Sequence, residues 1–380
     1  MLKKDKYENL LKHFYWGNFD TGVIFIFLSL FIWDKTENMI TVAIAFSIPI
    51  IIDTLIDYFF SYLSDKKSRI KLIIIGNIGS SIFLSLYGFS ISIYMLYGFI
   101  FLKSLFAKLY QSSLQPYIRE NIEEHEYMEF IAKRNIKISV GASIGGFTLM
   151  FLYGFTQSLP LVFIVSGLIE LYSTVYLLKL NDTKAHRKKT KEDLIDLDWI
   201  KYITLIYTIE GFAIALIMNR MIIYMHEFQK VSMQNVGLIF FIVYGISNIM
   251  ASKLYKGFNK TSLKTMLIVS FVSQAILLTL FTIINQIYIV VAVWFFFELV
   301  SNITDIYSRD KINRSIFTNI GKKLSKFRIT IALGNVLGQL VISKIWDGLG
   351  VSISFYFSSV VLIILSFIIL FKNNKDFEKN

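Results

Sequence analysis

Four ionisable side chains stand inside long apolar stretches of this 380-residue chain: Asp20, Lys103, Glu210 and Glu298. A charge in hydrocarbon costs several kcal/mol, so such residues usually bind protons, ions or one another. Asp20 and Lys103 are expected at similar depth, where they would form an ion pair or alternate between pairing and protonation. Glu210 and Glu298 have fewer bases available and could carry protons near neutral pH. Each could instead be a static group that only fixes helix packing.

The elements that position these residues are predicted to be membrane-spanning helices. The chain is 55% hydrophobic, with a mean hydropathy of +0.58, and apolar windows of about 20 residues, enough to cross about 30 Å of hydrocarbon, recur along it. Such continuous runs exclude the alternation of barrel strands, and the first span lacks the cleavage site of a signal peptide. We predict twelve spans, at 10–33, 39–62, 71–89, 92–113, 134–154, 160–180, 199–224, 232–253, 264–284, 287–307, 327–345 and 351–371.

Four further acids fall within these spans, and one of them, Asp305 in span ten, is expected nearer the cytoplasmic mouth. Asp53 and Asp57 are four residues apart in span two, so they share a helix face and could share a proton or pair with bases from span eleven. Glu170 stands in the middle of span six, and no partner is proposed for it. The histidines are assigned to loops or helix ends, which argues against a histidine relay: His13, His125, His186 and His226.

Lysine and arginine predict that both termini are cytoplasmic, because these residues are retained on that side of the membrane. In that orientation the outer loops keep only Lys35, Lys230 and Lys344. The net charge of +12 is then explained by topology and anionic lipid headgroups, so the bilayer is an expected partner and nucleic acid is not. The absence of cysteine excludes disulfides and thiolate metal sites. The many Ile, Lys, Asn and Phe residues are typical of AT-rich bacterial genomes, which indicates a bacterial cytoplasmic membrane.

The longest polar stretch divides the chain into two halves of six spans each. We predict an N-terminal bundle at 1–180, a cytoplasmic linker at 181–198 and a C-terminal bundle at 199–380. Weak internal repeats indicate a duplication. "YIRENI" from residue 117 matches "YSRDKI" from residue 307 at an offset of 190, and "VGASIGG" from residue 140 matches "LGNVLGQ" from residue 333 at an offset of 193.

Two parallel six-helix repeats are typical of secondary transporters that rock about a site near the membrane midplane. The chain resembles the major facilitator superfamily, whose loop between spans two and three carries the pattern G-x-L-A/S-D-R/K-x-G-R/K. Both glycines of that pattern are serine here. The matching residues are Ser61, Leu63, Ser64, Asp65, Lys66, Ser68 and Arg69.

The resemblance implies that this loop is a cytoplasmic latch. Asp65 would accept backbone N–H groups at the start of span eleven, while Lys66 and Arg69 pair with acids after span four. The alternative is a solvated loop that only obeys the positive-inside rule. The candidate acids are Glu120, Glu123 and Glu124.

A second resemblance is to the drug:proton antiporters, and within them to the macrolide-efflux-like branch. Span five of those antiporters carries G-P-x-x-G-G, which reads "GASIGG" here, with Gly141, Gly145 and Gly146 retained and alanine in place of proline. Glycines four residues apart also allow close helix packing, which is the simpler interpretation. "LFIWDKTEN" and "IPIIIDTLIDYFFSYLSDKKSR" are similar to the first two spans of the macrolide-efflux-like branch.

In the superfamily, spans one, four, seven and ten line the central cavity. Each of these helices would then carry one ionisable residue, respectively Asp20, Lys103, Glu210 and Glu298. The expected function is proton-coupled, multidrug-resistance-type efflux of amphiphilic drugs, peptides or lipid-like molecules by a monomer that works by alternating access. Proton-coupled uptake of a polar nutrient is the first alternative, and a non-transporting immunity or sensor protein is the second. Neither a phosphate-binding loop nor an H-E-x-x-H site occurs, so we expect no enzyme activity, no metal and no cofactor beyond the proton gradient.

Overall fold

A computed structural model of the chain describes residues 2–122, 124–181, 198–258, 261–315 and 320–372. Throughout these ranges the regular structure is helical, and twelve helices are long and apolar enough to cross a membrane. The all-helical, twelve-span prediction is therefore confirmed. The spans, numbered one to twelve, are Tyr7–Thr36, Met39–Lys66, Arg69–Phe89, Ile93–Asn121, Glu129–Thr156, Leu159–Leu177, Tyr202–Glu227, Met233–Leu254, Leu263–Ile283, Ile287–Ser308, Ile329–Leu349 and Val351–Leu370.

Several spans are built from more than one helical segment. Span one has a π-helical segment at Ile24–Leu28, and span eight has one at Phe241–Ile246. The α-helices are α1 (Leu2–Trp16), α2 (Asp20–Val23), α3 (Ser29–Thr36), α4 (Met39–Lys66), α5 (Arg69–Leu86), α6 (Ile93–Asn121), α7 (Glu124–Thr156), α8 (Leu159–Leu177), α9 (Asp198–Ala213), α10 (Ile217–Glu227), α11 (Met233–Phe240), α12 (Ser247–Leu254), α13 (Leu263–Ile283), α14 (Ile287–Ser315), α15 (Ile320–Leu349) and α16 (Val351–Leu370).

Serine residues set the starts of many of these helices. In each case the side-chain oxygen accepts the backbone N–H of the residue three positions later, a group that has no partner within its own helix. These capping bonds satisfy the first turn of each helix at the points where the chain turns between spans. The capping residues are Ser68, Ser92, Ser158, Ser232 and Ser262.

Spans one and seven are both interrupted. In span one, a turn at residues 17–19 separates α1 from α2, and Asp20 is the first residue after it. In span seven, a turn at residues 214–216 separates α9 from α10, and Leu216 takes a left-handed conformation with φ of 54°. Interrupted helices at corresponding positions of two repeats commonly mark the binding region of a transporter.

The helices pack as two compact units. The first unit contains Met1–Glu37, Ile48–Arg187 and Val231–Phe241, and the second contains Asn38–Ser47, Lys188–Lys230 and Ile242–Asn380. The helix α4 therefore begins in the second unit and continues in the first. Residues from α1, α5, α6, α7 and α8 enclose one apolar core in the first unit, with Phe14, Ile73 and Tyr117 almost fully buried.

Glycines fix the packing of the interrupted span in each unit. In the first unit, a Cβ on Gly141 of α7 would overlap the Tyr15 carbonyl oxygen, and one on Gly145 would lie 2.6 Å from Phe19 Cα. Both positions therefore require glycine for this approach. Gly146 is different, because the nearest atom to its added Cβ is 3.7 Å away, at Gly22.

The second unit repeats this arrangement between α15 and α9. A Cβ on Gly334 would overlap the Thr208 carbonyl oxygen, and one on Gly338 would lie 2.7 Å from Phe212 Cα. The glycines and the backbone that they contact are both displaced by 193 residues from their counterparts in the first unit. The repeat read from the sequence therefore corresponds to a repeated packing geometry.

Candidate functional site

A buried ion pair joins spans one and four. The Lys103 Nζ atom lies 3.1 Å from Asp20 Oδ2, and the two side chains are only 12% and 10% exposed. The break at residues 17–19 places Asp20 at the start of α2, where the backbone N–H groups of a first turn favour an anion. The two residues thus lie together, as the sequence predicted, and their roles in transport stay predictions.

Glu170 of span six belongs to the same cluster. Its carboxyl group interacts electrostatically with both Asp20 and Lys103. Ser80 of α5 hydrogen-bonds to one side of this carboxyl group, whereas Glu170 Oε2 is buried with no hydrogen-bond partner among the described residues. No partner was proposed for Glu170 from the sequence, and the structure places it beside Asp20 and Lys103. The cluster therefore contains two carboxyl groups, from spans one and six, and one ammonium group, from span four.

A polar network supports Glu170 from the neighbouring helix. The Asn77 side-chain amide donates to the Glu170 backbone carbonyl at 3.2 Å and to the hydroxyls of Ser173 at 3.3 Å and Thr174 at 2.8 Å. Asn77 and Ser80 are three residues apart on α5, and Glu170 is followed by hydroxyl residues three and four positions later on α8. This spacing puts each polar set on one helix face. It is the sequence signal that would have identified the cluster.

His13 lies in the last turn of α1, at a helix end as expected, but it is buried. It is 1% exposed, with Nε2 2.6 Å from the Tyr110 hydroxyl and Nδ1 3.3 Å from the Ser173 carbonyl oxygen. The burial of His13 was not predicted from the sequence. Through Ser173 it is connected to the network around Glu170.

The remaining two acids of the original set lie in the second unit. Glu210 is in α9, one turn before the break in span seven, and the charged group that acts on it among the described residues is another acid, Asp305. Glu298 is 8% exposed, and its carboxyl group lies beside Trp294 and within electrostatic range of Tyr244. For the described part of the chain, these observations agree with the expected scarcity of bases.

Asp53 and Asp57 share their partner on span four. Lys108 Nζ lies 2.8 Å from Asp57 Oδ1 and 3.4 Å from Asp53 Oδ1. Lys108 is 8% exposed, so this pairing neutralises a cation that is buried in the bundle. The expected face shared by the two acids is present, but the base comes from span four and not from span eleven.

The charged loop after span two is built around Arg69. Arg69 Nη1 lies 2.6 Å from Glu120 Oε2, and the two form an ion pair whose angles do not meet those of a hydrogen bond. Arg69 Nη2 lies 3.3 Å from Asp65 Oδ1. Lys66 instead lies over the Tyr62 ring, 4.3 Å from its centroid. Arg69 thus joins the end of α4, the start of α5 and the end of α6. Of the two bases expected to pair with acids of this region, Arg69 has such a pair among the described residues, and the latch role stays a prediction.

The rest of the latch prediction is not decided by these contacts. Asp65 is 63% exposed in this conformation. Glu123 lies outside the described residues, as does the side chain of Glu124. Docking of Asp65 on the start of span eleven stays a prediction.

Comparison with known proteins agrees with this fold. The profile of the Major Facilitator Superfamily matches residues 17–304, which is more than half of the chain. The chain therefore belongs to this superfamily and is a secondary transporter that works by alternating access, driven by a gradient rather than by a bound cofactor, and not an enzyme. No curated protein matches the sequence at a significant level.

Solved structures of transporters superimpose over nearly the whole chain. The nucleoside transporter NupG matches with a TM-score of 0.74 and 15% identity, covering 97% of this chain and 98% of its own. A bacterial homologue of the human lysosomal transporter Spinster, inward-facing and unoccupied, matches with a TM-score of 0.74 and 10% identity over 99% of this chain and 97% of its own. A POT family transporter in complex with a thioalcohol-conjugated peptide matches with a TM-score of 0.77 and 10% identity, covering 96% of this chain and 95% of its own. At these identities the similarity establishes the fold alone.

Proposed function

We propose that this protein is a proton-coupled exporter of amphiphilic small molecules in a bacterial cytoplasmic membrane. The observation that carries the proposal is the buried cluster of Asp20, Lys103 and Glu170 beside the break in span one. We also propose, from the sequence motifs described above, that the protein belongs to the macrolide-efflux-like branch of the drug:proton antiporters.

Charge balance in the cluster favours a proton site. One ammonium group can neutralise one of the two carboxylates, and a second carboxylate in these apolar surroundings is strongly disfavoured unless it binds a proton. Asp20 is within hydrogen-bonding distance of Lys103, whereas Glu170 has an unbonded carboxyl oxygen. Lys103 can exchange one carboxylate for the other, so a proton can move in the opposite direction. Such an exchange links proton binding to the geometry of spans one, four and six.

The surroundings of the cluster favour an amphiphilic substrate. Trp16 and Phe19 stack with their ring centroids 5.4 Å apart immediately before Asp20. A substrate that combines an apolar ring system with a polar or cationic group would match aromatic rings beside an acid. An antiporter requires substrate and proton to compete, and a substrate group that interacts with Asp20 would compete with both the proton and Lys103.

The remaining parts of the proposal concern organisation and topology. We propose two six-span halves, at 1–180 and 199–380, joined by a cytoplasmic linker at 181–198, with both termini in the cytoplasm and the monomer as the working unit. The distribution of Lys and Arg supports the orientation. Glu210 and Glu298 are proposed as secondary proton-binding acids of the second half.

Transport by purified protein in liposomes tests the proposal. With a fluorescent lipophilic cation as the probe, an imposed proton gradient should drive accumulation against the probe gradient. Asp20→Asn should abolish this uphill movement while downhill exchange continues. Glu129→Gln is the matched control, because it neutralises an acid of an exposed ion pair with Lys133. Accumulation by Asp20→Asn at the wild-type level would overturn the coupling role, and movement of the probe with the proton would indicate uptake instead of export.

A further inference from the structure

A carboxylate from span eleven caps the start of span two. Asp347 Oδ1 accepts the backbone N–H of Met39 at 2.9 Å, and Oδ2 accepts that of Ile40 at 3.0 Å. The Asn38 side-chain oxygen accepts the next N–H, that of Thr41, at 3.0 Å. These backbone groups have no acceptor within their own helix. The N-terminus of α4 is thus fully bonded, with most of the bonding supplied by a residue about 300 positions away along the chain.

Asp347 is poorly placed for its own helix. It lies in the last turn of α15, which ends at Leu349. An acid at a helix C-terminus opposes the helix dipole and lowers stability, whereas an acid at an N-terminus raises it. The position of Asp347 is therefore explained by α4 and not by α15.

A second contact continues the pairing along the two helices. The Ser47 hydroxyl donates to Gln339 Oε1 at 2.5 Å, and both residues are buried, at 4% and 5% exposure. Ser47 is eight residues after Met39, and Gln339 is eight residues before Asp347. The first turns of α4 and the last turns of α15 therefore run antiparallel in a fixed register.

The paired residues all lie in the second unit, next to the point along α4 at which the chain passes into the first. The α4 helix belongs to the second unit up to Ser47 and to the first unit from Ile48, with Pro49 just after the change. The capped end lies on the side of the membrane opposite to both termini, because span one separates it from the N-terminus. At the other end of the same helix, Asp65 occupies the last turn of α4, as Asp347 does in α15.

We propose that Asp347 is a gating residue, the counterpart of Asp65 on the opposite side of the membrane. Its bonds to the start of α4 stabilise the conformation that is closed on the side opposite to the termini, and they break when the transporter opens to that side. Spans two and eleven then carry, each at its end, an acid that can cap the start of the other. This inference rests on alternating access and on the proposed latch role of Asp65, and it is independent of the substrate and the coupling ion.

Distance measurements between spin labels test the gate. The chain contains no cysteine, so cysteines introduced at Ile91 and Leu349, which are 92% and 64% exposed, can be labelled specifically. Asp347→Ala should increase the ratio of long to short distances about fivefold, equal to about 1 kcal/mol. Asp347→Asn, which keeps one acceptor oxygen, should give a smaller increase in the same direction.

The matched control is Glu37→Gln, which removes an exposed acid next to the same helix start. It should leave the ratio unchanged. Asp65→Asn should shift the ratio in the opposite direction to Asp347→Ala. The proposal is overturned if Asp347→Ala behaves as the control does, or if both aspartate variants shift the ratio in the same direction.

A disulfide between α4 and α15 tests whether these two helices must separate during transport. The test is made on protein that has already folded. Cysteines replacing Ser47 and Gln339 should form a reversible cross-link, because the two native side chains are in direct contact. Oxidation should abolish transport and reduction should restore it, while each single-cysteine variant stays active under both conditions. If the cross-linked protein transports as fast as the same protein after reduction of the disulfide, the pairing does not need to open. In that case α4 bends near Pro49 instead, and the gating role of Asp347 is wrong.

Discussion

A double-mutant cycle on Asp20 and Lys103 tests whether the buried pair is the energetic centre of the cluster. Lys103→Met removes the ammonium group and keeps much of the side-chain volume, and Asp20→Asn removes the carboxylate charge and keeps its shape. Each single variant breaks the Asp20–Lys103 pair, and Glu170 stays beside the group that remains. The cycle therefore measures the coupling between Asp20 and Lys103 in the presence of Glu170.

The magnitude follows from the geometry. At the observed 3.1 Å, two unit charges attract by about 5 kcal/mol if the effective dielectric constant is about 20. Part of this is offset by desolvation, since the side chains are 12% and 10% exposed. Removing one partner of a buried pair typically costs about 3–5 kcal/mol. We expect each single variant to lose about this much, and the double variant to lose at least about 2 kcal/mol less than the sum of the two.

Reversible unfolding in mixed detergent micelles provides the free energies for this cycle. The exposed Glu129 and Lys133 pair supplies the reference cycle, because solvent screens it and a much smaller coupling is expected. If the losses at Asp20 and Lys103 simply add, the two charges do not stabilise one another. The exchange of Lys103 between carboxylates would then have no energetic basis.

Three further predictions concern packing, the loop and topology. Gly141→Ala should sharply lower the yield of folded protein in size-exclusion chromatography, because its Cβ would overlap a backbone carbonyl, while Gly146→Ala, with 3.7 Å of clearance, should fold normally. Glu120→Gln should lower the free energy of unfolding by about 1.5–3 kcal/mol in the same micelle assay, because the nearly buried Arg69 is then left with only Asp65, its more exposed partner. An unchanged free energy of unfolding would show that the ion pair between Arg69 and Glu120 is dispensable. A cytoplasm-active reporter fused at Lys189 should be active, and activity of an exterior reporter there would reverse the proposed orientation.

Much of the fold follows from hydropathy alone. Long apolar windows can form only helices in a bilayer, because every backbone polar group must be bonded within the span. The same windows could not show where a span is interrupted. The break before Asp20 falls in "YWGNFD", where Gly17 and Asn18 are turn-forming residues whose signal is lost when hydropathy is averaged over about 20 residues.

The candidate site was predictable only where charges stand out against apolar sequence. Asp20 and Lys103 were paired correctly because both are isolated charges at similar depth. No partner was proposed for Glu170, although Asp20 and Lys103 act on it, because their depth relative to span six depends on how the helices pack. The burial of His13 was missed because its partners are a hydroxyl and a backbone carbonyl, which hydropathy does not distinguish from ordinary helix surface. Asp347 was missed for a different reason. Its partner is a helix terminus, and the identity of that terminus depends on tertiary structure.

The repeated glycine packing also exposes an asymmetry between the halves. At the offset of 193 residues that relates Gly141 to Gly334, Asp20 corresponds to Ala213, a fully buried residue at the end of α9. The duplicated scaffold therefore has its acid at this position in one copy only. A chimera that keeps residues 1–180 and takes its second half from another transporter of the superfamily would inherit the whole Asp20–Lys103–Glu170 cluster. In the proposed mechanism the proton and the substrate compete at this one cluster, so such a chimera would inherit ion dependence and substrate preference together.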